Sequence, residues 1–163
     1  VILLYLIGKS IATNGVEFKQ PPIKLANPKA VKTITRLNRT LKPWEATTIA
    51  FYIEKYSKQY KIPPKLLLAI IAQESRFNSK AKSKTKDFGL TQINDRTIKN
   101  YGFNKELILA DVAYAIECSA KILKDLKRSW FRKERDHYWT RYNSSDPVKR
   151  QQYKIAVYRF YNN

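Results

Sequence analysis

Cysteine and histidine each occur once in the 163-residue chain, as Cys118 and His137. One cysteine closes no internal disulfide, and a zinc site needs several such ligands. Thiol catalysis would have to run on this one pair, yet Cys118 falls inside a predicted helix, where a small buried apolar residue is the simpler reading. No metal and no cofactor is therefore expected. Glycine is scarce, at 4 residues, which argues against a glycine-rich nucleotide fold. Gly8-Lys9-Ser10 has the look of a phosphate-binding loop, but the position that needs a second glycine holds Leu3. Long apolar runs are missing too: the seven residues Val1–Ile7 are too few to span a bilayer. Acidic residues are the last shortage. Against 32 Lys and Arg stand 13 Asp and Glu, a formal charge of +19. With 44% apolar residues the chain still has the makings of a core, so the charge marks a polyanionic setting rather than disorder. Nucleic acid, anionic lipid and a phosphate-bearing envelope all answer that description.

Residues 1–42 read as an N-terminal arm. Val1–Ile7 is either the remnant of a signal or anchor segment, through which the chain could associate with a membrane, or an apolar strip of a core helix. Residues 13–36, with Pro21-Pro22 and Pro28, read as irregular. From Pro43 the pattern turns helical, with Trp44, Thr48, Phe51, Tyr52 and Tyr56 at spacings of three and four. Pro63-Pro64 restarts a helix that runs to about Phe77. A lysine-rich loop, 80–86, follows, then a short helix that ends near Gly102. A long helix is predicted from Lys105 to Leu126, and Ser145-Asp146-Pro147 starts the last one. No long strand signal and no repeat is present. The expectation is an all-α, mainly helical domain over residues 43–163.

In the helix from Pro64, Leu67, Ile70 and Ile71 mark an apolar stripe, and its next position is Glu74. A carboxyl group thus closes a core-facing stripe near the C-terminal end of a helix, where the dipole disfavours negative charge. Burial and dipole both raise a carboxyl pKa, and an acid kept protonated near neutrality is what general-acid catalysis needs. A glutamate that merely pairs with one of the many cations is the competing interpretation.

The residues that follow are Glu74-Ser75-Arg76-Phe77-Asn78, Ala81, Ser83 and Gly89-Leu90-Thr91-Gln92-Ile93-Asn94. This stretch resembles the catalytic segment of the soluble lytic transglycosylases, relatives of goose-type lysozyme, whose pattern is roughly E-S-x-F-N-x-x-A-x-S, a short loop, then G-L-M-Q. Glu74, Ser75, Phe77, Asn78, Ala81, Ser83, Gly89, Leu90 and Gln92 match without a gap. The G-L-x-Q-I-N form is closest to specialised members from phage particles and secretion systems. Tyr142-Asn143-Ser144-Ser145 resembles, more weakly, the family's A-Y-N-x-G stretch. The resembling parts cover about residues 44–161.

The resemblance implies a lysozyme-like fold and a peptidoglycan lytic transglycosylase with Glu74 as its single acid and base. The bond cut would join N-acetylmuramic acid to N-acetylglucosamine, and a 1,6-anhydro ring would form on the muramic acid. By the same analogy Ser75 fixes the end of the catalytic helix, and Ser83 hydrogen-bonds near Glu74 or the sugar. Gly89 turns the backbone beside the sugar, Gln92 offers it an amide, Tyr142 directs its hydroxyl at Glu74, and Asn143 lines the cleft. Peptidoglycan strands are the implied partner, with a phage virion or secretion assembly beside them and no specific nucleic acid. The periplasm, the cell envelope or a virion is the implied location. Two rivals stay open: a hydrolytic muramidase of the same fold, and a non-catalytic basic binding module. Goose-type lysozymes commonly carry an Asp two residues after the G-L-M-Q motif, where this chain has Asn94, which cannot act as a base. Asp87 and Asp95 lie near enough in sequence to keep hydrolysis open, although Asp95 reads more simply as the cap of the short helix.

Overall fold

The computed structural model describes residues 10–13, 16–19, 26–129 and 132–162. Val1–Ile7, with its signal, anchor or core-strip readings, lies outside the described residues, as do Gly8 and Lys9. The architecture is mainly helical, as expected. A short antiparallel hairpin pairs β1 (Ser10–Thr13) with β2 (Val16–Lys19), Ser10 opposite Lys19. Helices α1 (Pro28–Leu37), α2 (Pro43–Tyr60) and α3 (Pro64–Ser75) follow. A two-residue pair, β3 (Asp87–Phe88) against β4 (Ile93–Asn94), leads into α4 (Asp95–Tyr101). Helices α5 (Lys105–Ala110) and α6 (Val112–Ser129) come next, then a 3-10 helix, Arg132–Tyr142, and finally α7 (Pro147–Tyr161). Among the described residues no helix is long and apolar enough to cross a membrane.

Helix α3 is the centre. Its residues Leu66 to Ala72 are all buried, so it is apolar all round rather than on one stripe, as befits a helix enclosed by others. Helix α7 packs along it, α2 lies beside it, and α6 packs against α2. Burying seven consecutive residues of one helix fixes its axis. The end of α3 is therefore a rigid place from which to present a side chain.

Two expectations need correction. The irregular stretch 13–36 holds β2 and most of α1. Asn27 and Pro28, which read as breakers, are a helix start: the Asn27 side chain accepts from the backbone amides of Lys29 and Ala30, and proline takes the first turn. Ile34 of α1 is fully buried in the same core as α2 and α3. The predicted helix Lys105–Leu126 is broken at Asp111, which is extended (φ −117°, ψ 110°). Its Oδ1 accepts from Ala113 N at 2.8 Å and Tyr114 N at 3.1 Å, capping α6 with a residue the periodicity ran straight through. Replacing Asp111→Ala is expected to cost about 1 kcal/mol of stability in urea unfolding, the usual value of a side-chain cap; an unchanged midpoint would show that the break is not held by this cap.

Candidate active site

Glu74 is the second-last residue of α3. The chain then turns sharply, with Arg76 (φ 49°) and Phe77 (φ 62°) both left-handed. Such a turn is costly for residues with a side chain, and three contacts hold it. Phe77 is fully buried. Asn38 at the end of α1 donates its amide to Phe77 O at 3.2 Å, and Ser75 Oγ donates to Leu90 O at 2.6 Å. The second of these ties the end of α3 to the loop that follows it.

That loop, residues 76–94, is stitched to itself. Gly89 N donates to Ala81 O at 2.8 Å, and Gln92 Nε2 donates to Ala81 O at 2.9 Å and Gly89 O at 2.8 Å. Gly89 has φ +72°, and a Cβ there would sit 2.9 Å from the backbone oxygen of Ile108. Glycine is required by α5 behind the loop as much as by the turn. Ser83 Oγ donates to Asp87 Oδ2 at 2.5 Å and accepts from the Asp87 amide at 3.0 Å.

A cleft of about 450 Å³ opens beside the end of α3. Glu74, Thr85, Asp87, Gln92 and Asn94 line it, as do Tyr142, Asn143 and Lys149. Tyr101, Ile122 and Leu126 give it an apolar wall of the kind a sugar ring can lie against. Glu74 is half-buried, and its carboxyl pKa is pushed up to about 7. Burial is the main cause; the hydroxyl of Tyr153, donating to Glu74 Oε1 at 2.5 Å, works the other way, and the negative charge of Asp87 adds to the rise. A carboxyl group poised near neutrality thus faces an open cleft. Among the described residues no group of three or more His, Cys, Asp or Glu converges as a metal site. Cys118 is buried on α6, and burial pushes its thiol up to about 12, so it stays protonated.

Comparison with known families agrees with this geometry: the model of the transglycosylase SLT domain matches residues 51–155. The chain belongs to that family. It is also similar to Protein IpgF of Shigella flexneri and of Shigella sonnei, 32% identical over 79 residues in each case. The alignment takes in 44% of this chain and 52% of each relative, so the chain spans about half the length of the curated relatives it matches.

In this SLT domain the expected residues fall into three groups. Glu74, Gln92, Tyr142 and Asn143 line the cleft. Ser75 and Gly89 act behind it, on the loop, as does the amide nitrogen of Gln92, which is spent on two backbone carbonyls. Of the two places expected for Ser83, near Glu74 or the sugar, its hydroxyl is not on Glu74 but on Asp87, which lines the same cleft. Tyr142 also departs from expectation, for its hydroxyl donates to Thr91 O at 2.9 Å. The tyrosine on Glu74 is Tyr153 of α7, buried against Trp139 with ring centroids 6.1 Å apart. Its only trace in the sequence is its place in the apolar pattern of the last helix. Asp95 does not cap α4; Asn94 does, accepting from Arg96 N, while Asp95 pairs with Lys99 and Lys105 at 3.0 Å each. Lys80, Lys82, Lys84 and Lys86 are exposed, and none lines the cleft.

The raised carboxyl has a stability consequence. Below about pH 4.5 Glu74 is protonated whether the chain is folded or not; between there and about pH 7 only the unfolded chain ionises it. Wild-type stability should fall across that window, while Glu74→Gln does not titrate. Relative to wild type, the variant should therefore gain roughly 1–2 kcal/mol between pH 4 and pH 8, a figure reduced for the partial exposure of the group. An equal difference at both pH values in urea unfolding would mean that Glu74 is not desolvated.

Proposed function

We propose that this SLT domain is a peptidoglycan lytic transglycosylase acting in the periplasm or cell envelope, or from a virion. The observation that carries the reading is Glu74: a carboxyl group kept protonated near neutrality by burial, facing a cleft of sugar-binding size. Residues 43–163 form the proposed catalytic unit, with α1 braced against it.

In the proposed reaction Glu74 gives its proton to the oxygen between N-acetylmuramic acid and N-acetylglucosamine. The C1–oxygen bond breaks, its electron pair goes to that oxygen, and positive charge develops at C1 of the muramic acid. The C6 hydroxyl of the same sugar then attacks C1, and its proton passes to the Glu74 carboxylate. The acid is regenerated and a 1,6-anhydro ring is left. The nucleophile is already part of the substrate, so no water has to be positioned. Tyr153 holds the carboxyl in one orientation throughout, and Tyr142 and Asn143 line the path of the glycan strand.

Asn94 supports ring closure over hydrolysis. Its Nδ2 donates to Asp87 Oδ1 at 2.8 Å and Thr85 O at 2.9 Å, and its Oδ1 accepts from Arg96 N. An amide so committed activates no water. Asp95, tied to two lysines, does not line the cleft. The G-L-x-Q-I-N motif suits a specialised setting, a phage particle or a secretion assembly.

Mass spectrometry of digested peptidoglycan is the test. Products one water lighter than hydrolytic ends are expected, and Glu74→Gln should reduce their formation by at least a thousandfold while keeping a native circular dichroism spectrum. Hydrolytic ends would make the protein a muramidase. Undiminished lysis by Glu74→Gln would remove Glu74 from its role.

Tyr153→Phe gives a finer check. The hydrogen bond it removes favours the ionised carboxyl, so the pKa of Glu74 should rise further and the alkaline limb of the pH–rate profile should move to higher pH. A limb that stays in place would leave Tyr153 with a packing role alone.

A further inference from the structure

Thirty-two cations are available in this chain, yet a carboxylate in the cleft is held by neutral groups only. Asp87 Oδ2 accepts from Ser83 Oγ and Thr85 Oγ1 at 2.5 Å each, and Oδ1 accepts from Asn94 Nδ2 at 2.8 Å. Its ion-pair partners among the described residues are none. Hydroxyl and amide donors stabilise the ionised form without cancelling its charge, whereas a lysine would have neutralised it. Asp87 and Glu74 line one cleft. We infer that Asp87 is a second working carboxylate of this site, whose fixed negative charge opposes the positive charge that develops on the substrate sugar.

The inference rests on the transglycosylase reading above and adds a residue to it. When the C1–oxygen bond breaks, Glu74 has just lost its proton and C1 is electron-poor. Asp87 forms no bond and exchanges no proton; it supplies a preorganised charge at the moment C1 becomes positive. Covalent attack on C1 is a poor alternative, because three lone-pair positions of the carboxylate are already accepting hydrogen bonds. Asp87 serves the second step as well. Its charge keeps the Glu74 carboxylate basic enough to take the proton of the attacking C6 hydroxyl. Burial works to raise the Asp87 carboxyl, but the three donors outweigh it and hold the group below the ordinary carboxylate range. The two carboxyl groups are thus driven apart, one toward the acid and one toward the anion, which is how paired carboxylates divide acid from stabiliser.

The test uses the whole chain on purified glycan strands, with kcat, KM and the pH profile measured for wild type, Asp87→Asn and Glu74→Gln. Asp87→Asn is expected to lower kcat about a hundredfold with little change in KM. The alkaline limb of its profile should also move to lower pH, because Glu74 loses its negative neighbour. A residue that only shapes the loop would not produce that displacement. A kcat within threefold of wild type, or an unmoved alkaline limb, would overturn the inference even if Glu74→Gln is inactive. Activity in Glu74→Gln, or wild-type products without anhydro ends, would instead overturn the underlying reading. Should Asp87→Asn melt below the assay temperature, Ser83→Ala combined with Thr85→Ala decides. Loss of two donors should carry the acidic limb to higher pH, with Glu74, Arg141 and Lys149 as the other charged groups of the cleft. An acidic limb that does not move overturns the inference.

Discussion

Everything in this structure that bears on chemistry depends on taking one carboxyl group partly out of water without giving it a cation. Desolvation is the largest influence on Glu74 and outweighs the hydroxyl of Tyr153 that favours its ionised form. In so basic a chain the charge that acts on Glu74 is nevertheless another carboxylate, Asp87. A lysine in that position would have worked against the rise. The four lysines between Glu74 and Gly89 lie on the same loop as Asp87, but on its exposed side. Acid strength is set here by where cations are kept away.

Holding the group in place is the work of α3 and its surroundings. A helix buried on every face has no freedom to roll, and its last turn ends in two left-handed residues that only tertiary contacts make tolerable. Those contacts come from three directions: Asn38 from α1, Leu90 through Ser75, and the core around Phe77. Tyr153 adds a fourth, from α7, directly on the carboxyl oxygen. The site is therefore assembled from elements widely separated in sequence, and α1 belongs to its support although it precedes the matched family region.

What the sequence disclosed follows from that assembly. Glu74, Ser75, Gly89 and Gln92 lie in one short stretch. Ser75 fixes the helix end and Gly89 makes the turn as the resemblance implied, whereas the Gln92 amide, expected to face the sugar, is spent on the carbonyls of Ala81 and Gly89. The loop expected around 80–86 and the helix end at Gly102 were legible too: Gly102 takes a left-handed φ of 64° that glycine adopts freely. Tyr142 and Tyr153 were not separable. Both are buried or half-buried aromatics near the chain end, and which hydroxyl reaches Glu74 is decided by how α7 lies along α3. Ser83 was placed by the resemblance near Glu74 or the sugar, whereas the tight turn at 83–87 ties its hydroxyl to Asp87. Asn27-Pro28 and Asp111 misled in opposite directions: the first pair starts a helix where breakers were read, and the second ends one within an unbroken apolar period. Each uses a side-chain oxygen to cap amides, and that signal is local, cheap and indifferent to hydrophobic spacing.

The global and local charges of this protein have opposite signs, and they act over different ranges. Screening in physiological salt limits surface charge to about 8 Å, so +19 is felt by an approaching polyanion at close range but is weakened across the body of the domain. Inside the cleft the low dielectric favours near neighbours, and the charge that shifts Glu74 there is negative. In the proposed reaction an anionic polymer would be drawn to the surface as a whole, while a ring reaching Glu74 would meet a potential suited to a cation. Lys149 and Arg141 also line the cleft, but neither is among the groups that shift Glu74. A uniformly basic cleft would bind such a polymer more tightly but would ionise Glu74 and repel the charge at C1. In the proposed reaction, placing Asp87 within a clamp of neutral donors would avoid both losses, because it separates the charge that attracts the strand from the charge that stabilises C1.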